Sequence, residues 1–274
     1  MIDLHLHTTA SDGRCAPHEL VDRALRAGVT VMAVTDHDTV AAIPEAQSAA
    51  RTCGIEVIAG IEITAIDSGR DIHLLGYFID AGNSDLAAFL ATQRTRRTAR
   101  VEALGLRLAQ LGMPIDVGPV LMQAREQRGR SVGRPQIARA MVAAGYVADT
   151  REAFDRWLAT GRPAFVARSG APPGEVIDIV HRAGGLVSLA HPGQTDVDSR
   201  ISAYVDAGLD AIEVYHPDHD AGAVQRYRET ASRLNLLATG GSDFHGDPDH
   251  GYEPGAIALP MEDWIQLRDA AAHA

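Results

Sequence analysis

Two pairs of alternating ligand-type residues bracket the chain: His5-Leu6-His7 near its start and Asp243-Phe244-His245 near its end. On a β-strand, residues two apart share a face, so each pair aims two side chains at one place. Between them lie Asp12, His37, Glu62, His73 and His191, each following or ending a short apolar run. Nine imidazoles and carboxylates delivered by strand ends predict an enzyme built around a cluster of divalent metals. The set holds no thiolate, which suits manganese, iron or zinc and disfavours a structural zinc site of the cysteine type. Two such ions close together activate a bridging water, so the expected nucleophile is a metal-bound hydroxide and no protein nucleophile is needed.

Ligands so scattered in sequence require a scaffold that brings strand ends together. Hydrophobic periodicity predicts strands at Ile2–Leu6, Val29–Thr35, Glu56–Glu62, Ile72–Ile79, Leu186–Ala190, Ala211–Tyr215 and Leu236–Thr239. Helical patterns such as Pro17–Ala27, Val40–Cys53, Gly174–Ala183, Val197–Ala207 and Ala221–Leu234 alternate with them. This alternation predicts an α/β fold of parallel βα units closed, or nearly closed, into a barrel. The active site of such a barrel lies at the C-terminal ends of its strands. His37, Glu62, His191 and His216 are each expected just past a strand end.

Residues 85–167 break the alternation. Helices are expected at Leu86–Leu111, Pro114–Arg130, Arg134–Ala144 and Thr150–Thr160, the last with Thr150 as its N-cap. The organisation that follows is barrel over 1–84, a small arginine-rich helical insertion acting as a substrate lid over 85–167, and barrel again over 168–274. All 25 basic residues are arginine. Residues 88–170 hold 14 of them against 6 acids, inside a chain whose net charge is -11. A cationic segment in an acidic body predicts capture of an anion. Arg94, Arg96, Arg97 and Arg100 read as a solvated helix face. His18, His181, His219, His250 and His273 lack ligand-type neighbours and read as structural.

The net negative charge excludes a protein that coats long nucleic acid. No apolar stretch reaches the length of a membrane span. A strand beginning at Ile2 leaves no room for a signal peptide, and two cysteines outside any C-x-x-C pair fit a reducing compartment, so a cytoplasmic protein is expected. The sequence does not reveal the oligomeric state.

The motif H-L-H-T-T-A-S-D-G at 5–13, with T-D-H-D at 35–38, G-I-E at 60–62, His73, A-H-P at 190–192 and G-S-D-F-H at 241–245, resembles the polymerase-and-histidinol-phosphatase (PHP) superfamily. The resemblance implies a distorted (β/α)7 barrel, two or three divalent metals and phosphoester hydrolysis. It implies a first metal on His5, His7, Glu62 and Asp243, and a second on His73, His191 and the bridging Glu62. A third would sit on Asp12, His37 and His245. Manganese is the expected ion, with iron or zinc as alternatives. Asp12 and His37 would also reach the substrate, and His216 would serve as a substrate contact or leaving-group acid.

The run Arg130-Ser131-Val132-Gly133-Arg134-Pro135 places guanidiniums and a hydroxyl at a helix start, a setting that binds phosphate. It resembles the G-R-P stretch of the nucleotide-directed PHP branch, which removes the 3′-phosphate of nucleoside 3′,5′-bisphosphates. That resemblance makes a small nucleotide the expected substrate, with Ser131 and Arg134 contacting it. Within the same chemistry, the alternatives are a 5′–3′ exoribonuclease acting on short RNA and a histidinol-phosphate phosphatase. The latter substrate gives no reason for a second anion site. A polymerase proofreading module, a non-catalytic metal-stabilised regulator and a carbon–nitrogen hydrolase are the remaining readings.

Overall fold

The computed structural model describes residues 1–127, 129–247 and 252–273. Seven strands follow one another around a single sheet in chain order. They are β1 (Ile2–Leu6), β2 (Val31–Val34), β3 (Glu56–Asp67), β4 (Arg70–Tyr77), β5 (Leu186–Leu189), β6 (Ala211–Tyr215) and β7 (Leu237–Gly240). The first and last meet at a seam, where Leu6 bridges Phe244 and both the amide and the hydroxyl of Ser242 donate to Asp3. The sheet is therefore a nearly closed barrel.

One strand departs from the expected parallel order. β3 pairs with β4, and β4 with β5, in antiparallel fashion. Only Ser68 and Gly69 separate β3 from β4, both with left-handed φ values of 52° and 80°. A two-residue turn of that kind can join only antiparallel strands. The dipeptide Ser68-Gly69 is the sequence signal for it. The hairpin also lengthens β3, so Glu62 lies in mid-strand rather than past its end. Because β4 runs backwards, its first residues lie level with the C-terminal ends of the parallel strands. His73 reaches the catalytic end for that reason.

The outer helices bury apolar faces on this frame. α1 (Pro17–Arg26) and α2 (Ile43–Ala50) cover the β1–β2 side through Leu20, Val21, Ala24 and Ala46. α7 (Pro173–Arg182), α8 (Ile201–Asp206) and α9 (Ala221–Leu234) close the other side through Val176, Val180, Ile201 and Tyr227. α10 (Met261–Ala271), which periodicity did not single out, packs Trp264 and Leu267 on Ile2 and Leu4.

Between β4 and α7 lie α3 (Ser84–Gln110), α4 (Gly118–Glu126), α5 (Arg134–Ala143) and α6 (Thr150–Ala153). α3 has 27 residues, about 40 Å at 1.5 Å per residue. It starts at the far end of the barrel, where β4 finishes, and climbs along the wall. Leu86 and Leu90 still pack on barrel residues, whereas Val101, Leu104 and Leu108 belong to a separate core with Ile137, Met141 and Leu158.

Within the insertion, two of the expected helices are markedly shorter than their patterns. Residues 114–117 stay outside α4, where the Asp116 carboxylate accepts the Gly118 amide in a turn. α6 gives way to a π-helical turn at Phe154–Leu158, and its N-cap is Asp149, which accepts the Glu152 amide, rather than Thr150. Among the described residues, no helix is long and apolar enough to cross a membrane.

Four of the five isolated histidines have ordinary structural partners. His18 pairs with Glu45, His181 with Asp210, and His273 with the Asp269 carbonyl, while His219 donates to the Val214 carbonyl. His250 lies outside the described residues.

Candidate metal centre

Alternation along β1 turns Asp3, His5 and His7 inward, and all three are completely buried. Close backbone packing makes room for them. A Cβ on Gly13 would fall 2.6 Å from the His7 carbonyl, and one on Gly241 would meet the main chain of His5. The strand-end loops bring further ligands in strained backbone. His191 and Asp243 hold φ values of 27° and 49°, a region L-residues rarely occupy outside sites where structure over-determines them.

Glu62 is the hub. Its Oε1 lies 2.6 Å from His73 Nδ1 and 3.2 Å from His191 Nε2. Its Oε2 lies 3.4 Å from His5 Nε2, 3.3 Å from His7 Nε2 and 3.0 Å from His37 Nδ1. Asp243 Oδ1 closes on His5 and His7 at 3.3 and 3.2 Å. Asp12 gathers His37 at 3.5 Å and His245 at 3.4 Å.

The structure thus brings all nine expected ligands into one contiguous cluster. Three subsets have converging ligand atoms: His5, His7 and Asp243; His37, Glu62 and His73; and His7, Asp12, His37 and His245. They cut across the three sets implied by resemblance, because His7 and His37 each stand between two groups.

These spacings fit a cation. Two ligands about 2.1 Å from one ion lie about 3.0–3.4 Å apart at octahedral or tetrahedral angles. Both ring nitrogens of His7, and Nδ1 of His37, His73 and His191, are buried without a hydrogen-bond partner. Unpartnered buried nitrogens are rare in folded proteins and ask for an explanation. Burial opposes a proton on His7, yet Asp243 and Glu62 overcome it and push its pKa up to about 10. Burial would likewise raise Glu62, but His37, His73 and His5 around it hold it well below the usual carboxylate range. The cluster is a pool of acceptors that attracts positive charge.

Buried carboxylates behind the ligands were not foreseen. Glu213 accepts from His5 Nδ1 at 2.9 Å and, through its other oxygen, from the His191 amide at 2.7 Å. This fixes the His5 tautomer, so that Nε2 faces the cluster. Asp36 accepts from the Thr8 amide and hydroxyl and from the Ser11 hydroxyl, which shapes the loop carrying Asp12. The signal for Glu213 was a charged residue on the inward face of an otherwise apolar strand, Ala211–Tyr215.

The expected substrate contacts divide. A cavity of about 650 Å³ opens over the cluster, with Asp12, His216, Asp243 and His245 on one side and Pro135 and Phe154 on the other. His216 Nδ1 accepts the Asp218 amide at 3.1 Å, which leaves Nε2–H towards Asp243 Oδ2 at 3.4 Å. Ser131 is buried, its amide donating to the Ala10 carbonyl and its hydroxyl without a partner. Arg134 lies outside the cavity lining, donating to Asp71 at 3.2 Å with Phe154 beneath it. Arg97 and Arg100 are each only 6% exposed, so they do not form a solvated helix face. Arg97 is ion-paired to Asp38, while Arg96 does remain exposed.

The PHP domain family model matches residues 3–234. A 5′-3′ exoribonuclease of Haemophilus influenzae is 36% identical over 89% of this chain and 89% of its own. A 3′,5′-nucleoside bisphosphate phosphatase of Chromobacterium violaceum is 31% identical over 93% and 90%. Among solved structures, an amidohydrolase from Chromobacterium violaceum, with bound sulfate and no metal, superposes with a TM-score of 0.88. It is 31% identical and covers 98% of this chain and 96% of that one.

Proposed function

We propose, from the premise that the chain belongs to the PHP domain family of metal-dependent phosphoesterases, that it hydrolyses the 3′-phosphate of nucleoside 3′,5′-bisphosphates. Adenosine 3′,5′-bisphosphate would give AMP and phosphate. His5, His7, Glu62 and Asp243 would hold one ion, and Glu62, His73 and His191 a second. Asp12, His37 and His245 would hold a third, with manganese as the expected metal. Bound there, divalent ions supply a water of lowered pKa and neutralise phosphoryl oxygens.

The protein's own groups then have distinct tasks. Glu62 presents one oxygen to each of two histidine sets, which a neutral amide could not do with equal charge. Glu213 and Asp36 hold ligands in place from behind. Burial opposes a proton on His216, yet Asp243 and Glu213 beside it raise its pKa, so it suits either a contact to a substrate oxygen or a proton donor to the leaving group. Ser131 offers a hydroxyl that no protein group uses.

The cavity carries this reading. Its volume falls within the range of small-molecule sites, about 300–1,000 Å³. A phosphoryl group would lie on the cluster side and a base against Phe154, Tyr252 and Pro217. The sulfate in the metal-free neighbour has the shape and charge of a phosphate, which supports an oxyanion site that does not depend on metal. Two free cysteines suit a cytoplasmic setting.

Incubating the manganese-loaded protein with adenosine 3′,5′-bisphosphate, histidinol phosphate and short 5′-phosphorylated RNA, and separating the products, tests the proposal. AMP and phosphate from the bisphosphate should form fastest. Preference for histidinol phosphate, or loss of the 5′-phosphate first, would overturn it. The exoribonuclease-type relative favours a second reading, in which the same bond is cleaved at the 5′ end of RNA. Both reactions cut at the 3′-phosphate and leave a nucleoside 5′-monophosphate.

A further inference from the structure

The helical insertion grips one of the loops that deliver ligands to the cluster. Three successive carbonyls, those of Ala10, Ser11 and Asp12, each accept a hydrogen bond from it at 2.8 Å. The donors, in the same order, are the Ser131 amide, Gln136 Nε2 and Arg139 Nη2. Two of them belong to α5 and the third to the segment just before it. Among the described residues, Asp12 is the only one of the nine expected ligands that hydrogen-bonds to the insertion.

Each donor is itself held in place. Gln136 is buried and uses both ends of its amide: Oε1 accepts from Gly133 at the start of α5, while Nε2 reaches Ser11. A backbone amide can only donate and a carbonyl only accept, so both partners require this orientation of the side chain. Arg139 donates through Nε to the Pro135 carbonyl one turn back and through Nη2 to Asp12. From the other side Asp36 holds the Thr8 amide and the Ser11 hydroxyl. The loop is clamped between barrel and insertion. Its product is the placement of the Asp12 carboxylate, 3.5 Å from His37 and 3.4 Å from His245. A guanidinium beside a cation site repels the cation. Its place there calls for another reason, and the bond to the Asp12 backbone supplies one.

We infer that Gln136 and Arg139 are positioning residues through which the insertion sets the ion site of Asp12, His37 and His245. The inference rests on the assignment of an ion to those three ligands. Hydrogen bonds that orient a metal ligand from behind are worth about 10- to 100-fold in metal affinity. The link acts in both directions, because an ion that fixes Asp12 favours the docked position of α5 by the same factor. Pro135 lies in α5 and Phe154 packs on the same small core, and both wall the cavity. Filling of this ion site and the shape of the cavity are therefore tied.

The test is calorimetric titration of the chelator-stripped protein with manganese, without substrate, alongside its melting temperature. Asp12→Asn identifies the ion concerned as the one whose binding it weakens. Arg139→Met removes a positive charge, which alone would tighten cation binding, and Gln136→Met keeps the length and leaves the charge unchanged. Positioning predicts otherwise: each should weaken that same ion about 10- to 100-fold and leave the others as they were. In the Asp12→Asn background, neither should add a further loss. Tighter or unchanged binding in Arg139→Met would overturn the proposal. So would weakening of every ion together with a lower melting temperature, which marks a merely structural role. A loss that persists in the Asp12→Asn background would overturn it as well. Should Gln136→Met fail to fold, Arg139→Met, at a half-buried position, decides alone. If Asp12→Asn changes no ion, the ion assignment falls and the proposal with it. If the ions bind as described but the bisphosphate is not hydrolysed, the functional reading fails and the positioning role stands.

Discussion

The histidine–carboxylate cluster and the arginine group beside it are mismatched in opposite senses. In the first, buried imidazole nitrogens and three carboxylates converge with too few protons to satisfy them. In the second, guanidinium donors outnumber the carboxylates that could accept from them. One is an excess of acceptors and the other an excess of donors, and they adjoin along β4, where Asp71 and His73 are two residues apart. A protein optimised only for stability would have cancelled these charges against each other. Their separation identifies a site where ligands complete what folding leaves open.

Breaking the acceptor side should have the largest effect. Glu62→Gln removes the charge shared by two histidine sets, and kcat/KM should fall by at least about 10³-fold. That exceeds the roughly 10–100-fold typical of losing a group behind a metal ligand. Metal analysis should show loss of bound manganese in step. Near-normal activity with full metal content would refute the role given to Glu62. Chelation of the parent protein should abolish turnover and manganese should restore it.

On the donor side, removing an acid should cost folding stability. Asp38→Asn leaves Arg97 buried without its counter-charge, which costs about 3–5 kcal/mol of folding stability in comparable pairs. Denaturant titration of the metal-stripped protein measures this. A change below about 1 kcal/mol would mean that Arg97 finds another acceptor.

Glu213→Gln tests whether support from behind matters as much as direct ligation. It should weaken manganese binding about 10- to 100-fold, with a smaller effect on fold stability. Competition with a fluorescent chelator reads it directly. The smallest effect lies far from both clusters, at His181 and Asp210, 2.8 Å apart. The hydrogen bond to Asp210 raises the His181 pKa. Its contribution is therefore complete below the unfolded value of about 6.5 and is lost as pH climbs through the higher folded value. The side chain is 38% exposed, and screening limits the gain to at most about 0.5 kcal/mol. The stability gap between the parent and His181→Asn should shrink with rising pH, and a gap that widens would reverse the sign.

The acceptor side was the more legible in sequence. Its ligands sit on strands, where a period of two and short motifs reveal which residues share a face. The donor side was obscured by composition, since arginines on a long helix usually face water. Their spacing held the clue. Leu86, Leu90, Gln93, Arg97, Arg100, Leu104 and Leu108 recur every three or four residues, so Arg97 and Arg100 continue the buried stripe of α3. The reversal of β4 was missed because periodicity identifies a strand without giving its direction. Here the length of the connection decides, and two residues permit only a hairpin. Glu213 escaped because a lone acid carries no spacing pattern.

The seam between β1 and β7 has a consequence for the life of the folded chain. Little main-chain pairing crosses it: the Leu6–Phe244 bridge, the His7 amide on the Phe244 carbonyl and the Arg14 amide on the His245 carbonyl. The β3–β4 hairpin can zip within microseconds, whereas this seam joins residues some 240 positions apart and must close late. In the proposed assignment, the ion held by His5, His7 and Asp243 straddles that junction. It would act as a clasp on a barrel that otherwise opens along one line. Manganese should then slow amide hydrogen exchange in residues 2–8 and 240–246 far more than in the hairpin. Under metal starvation, the strands that breathe apart would be the ones carrying the ligands, linking the enzyme's persistence in the cell to its supply of metal.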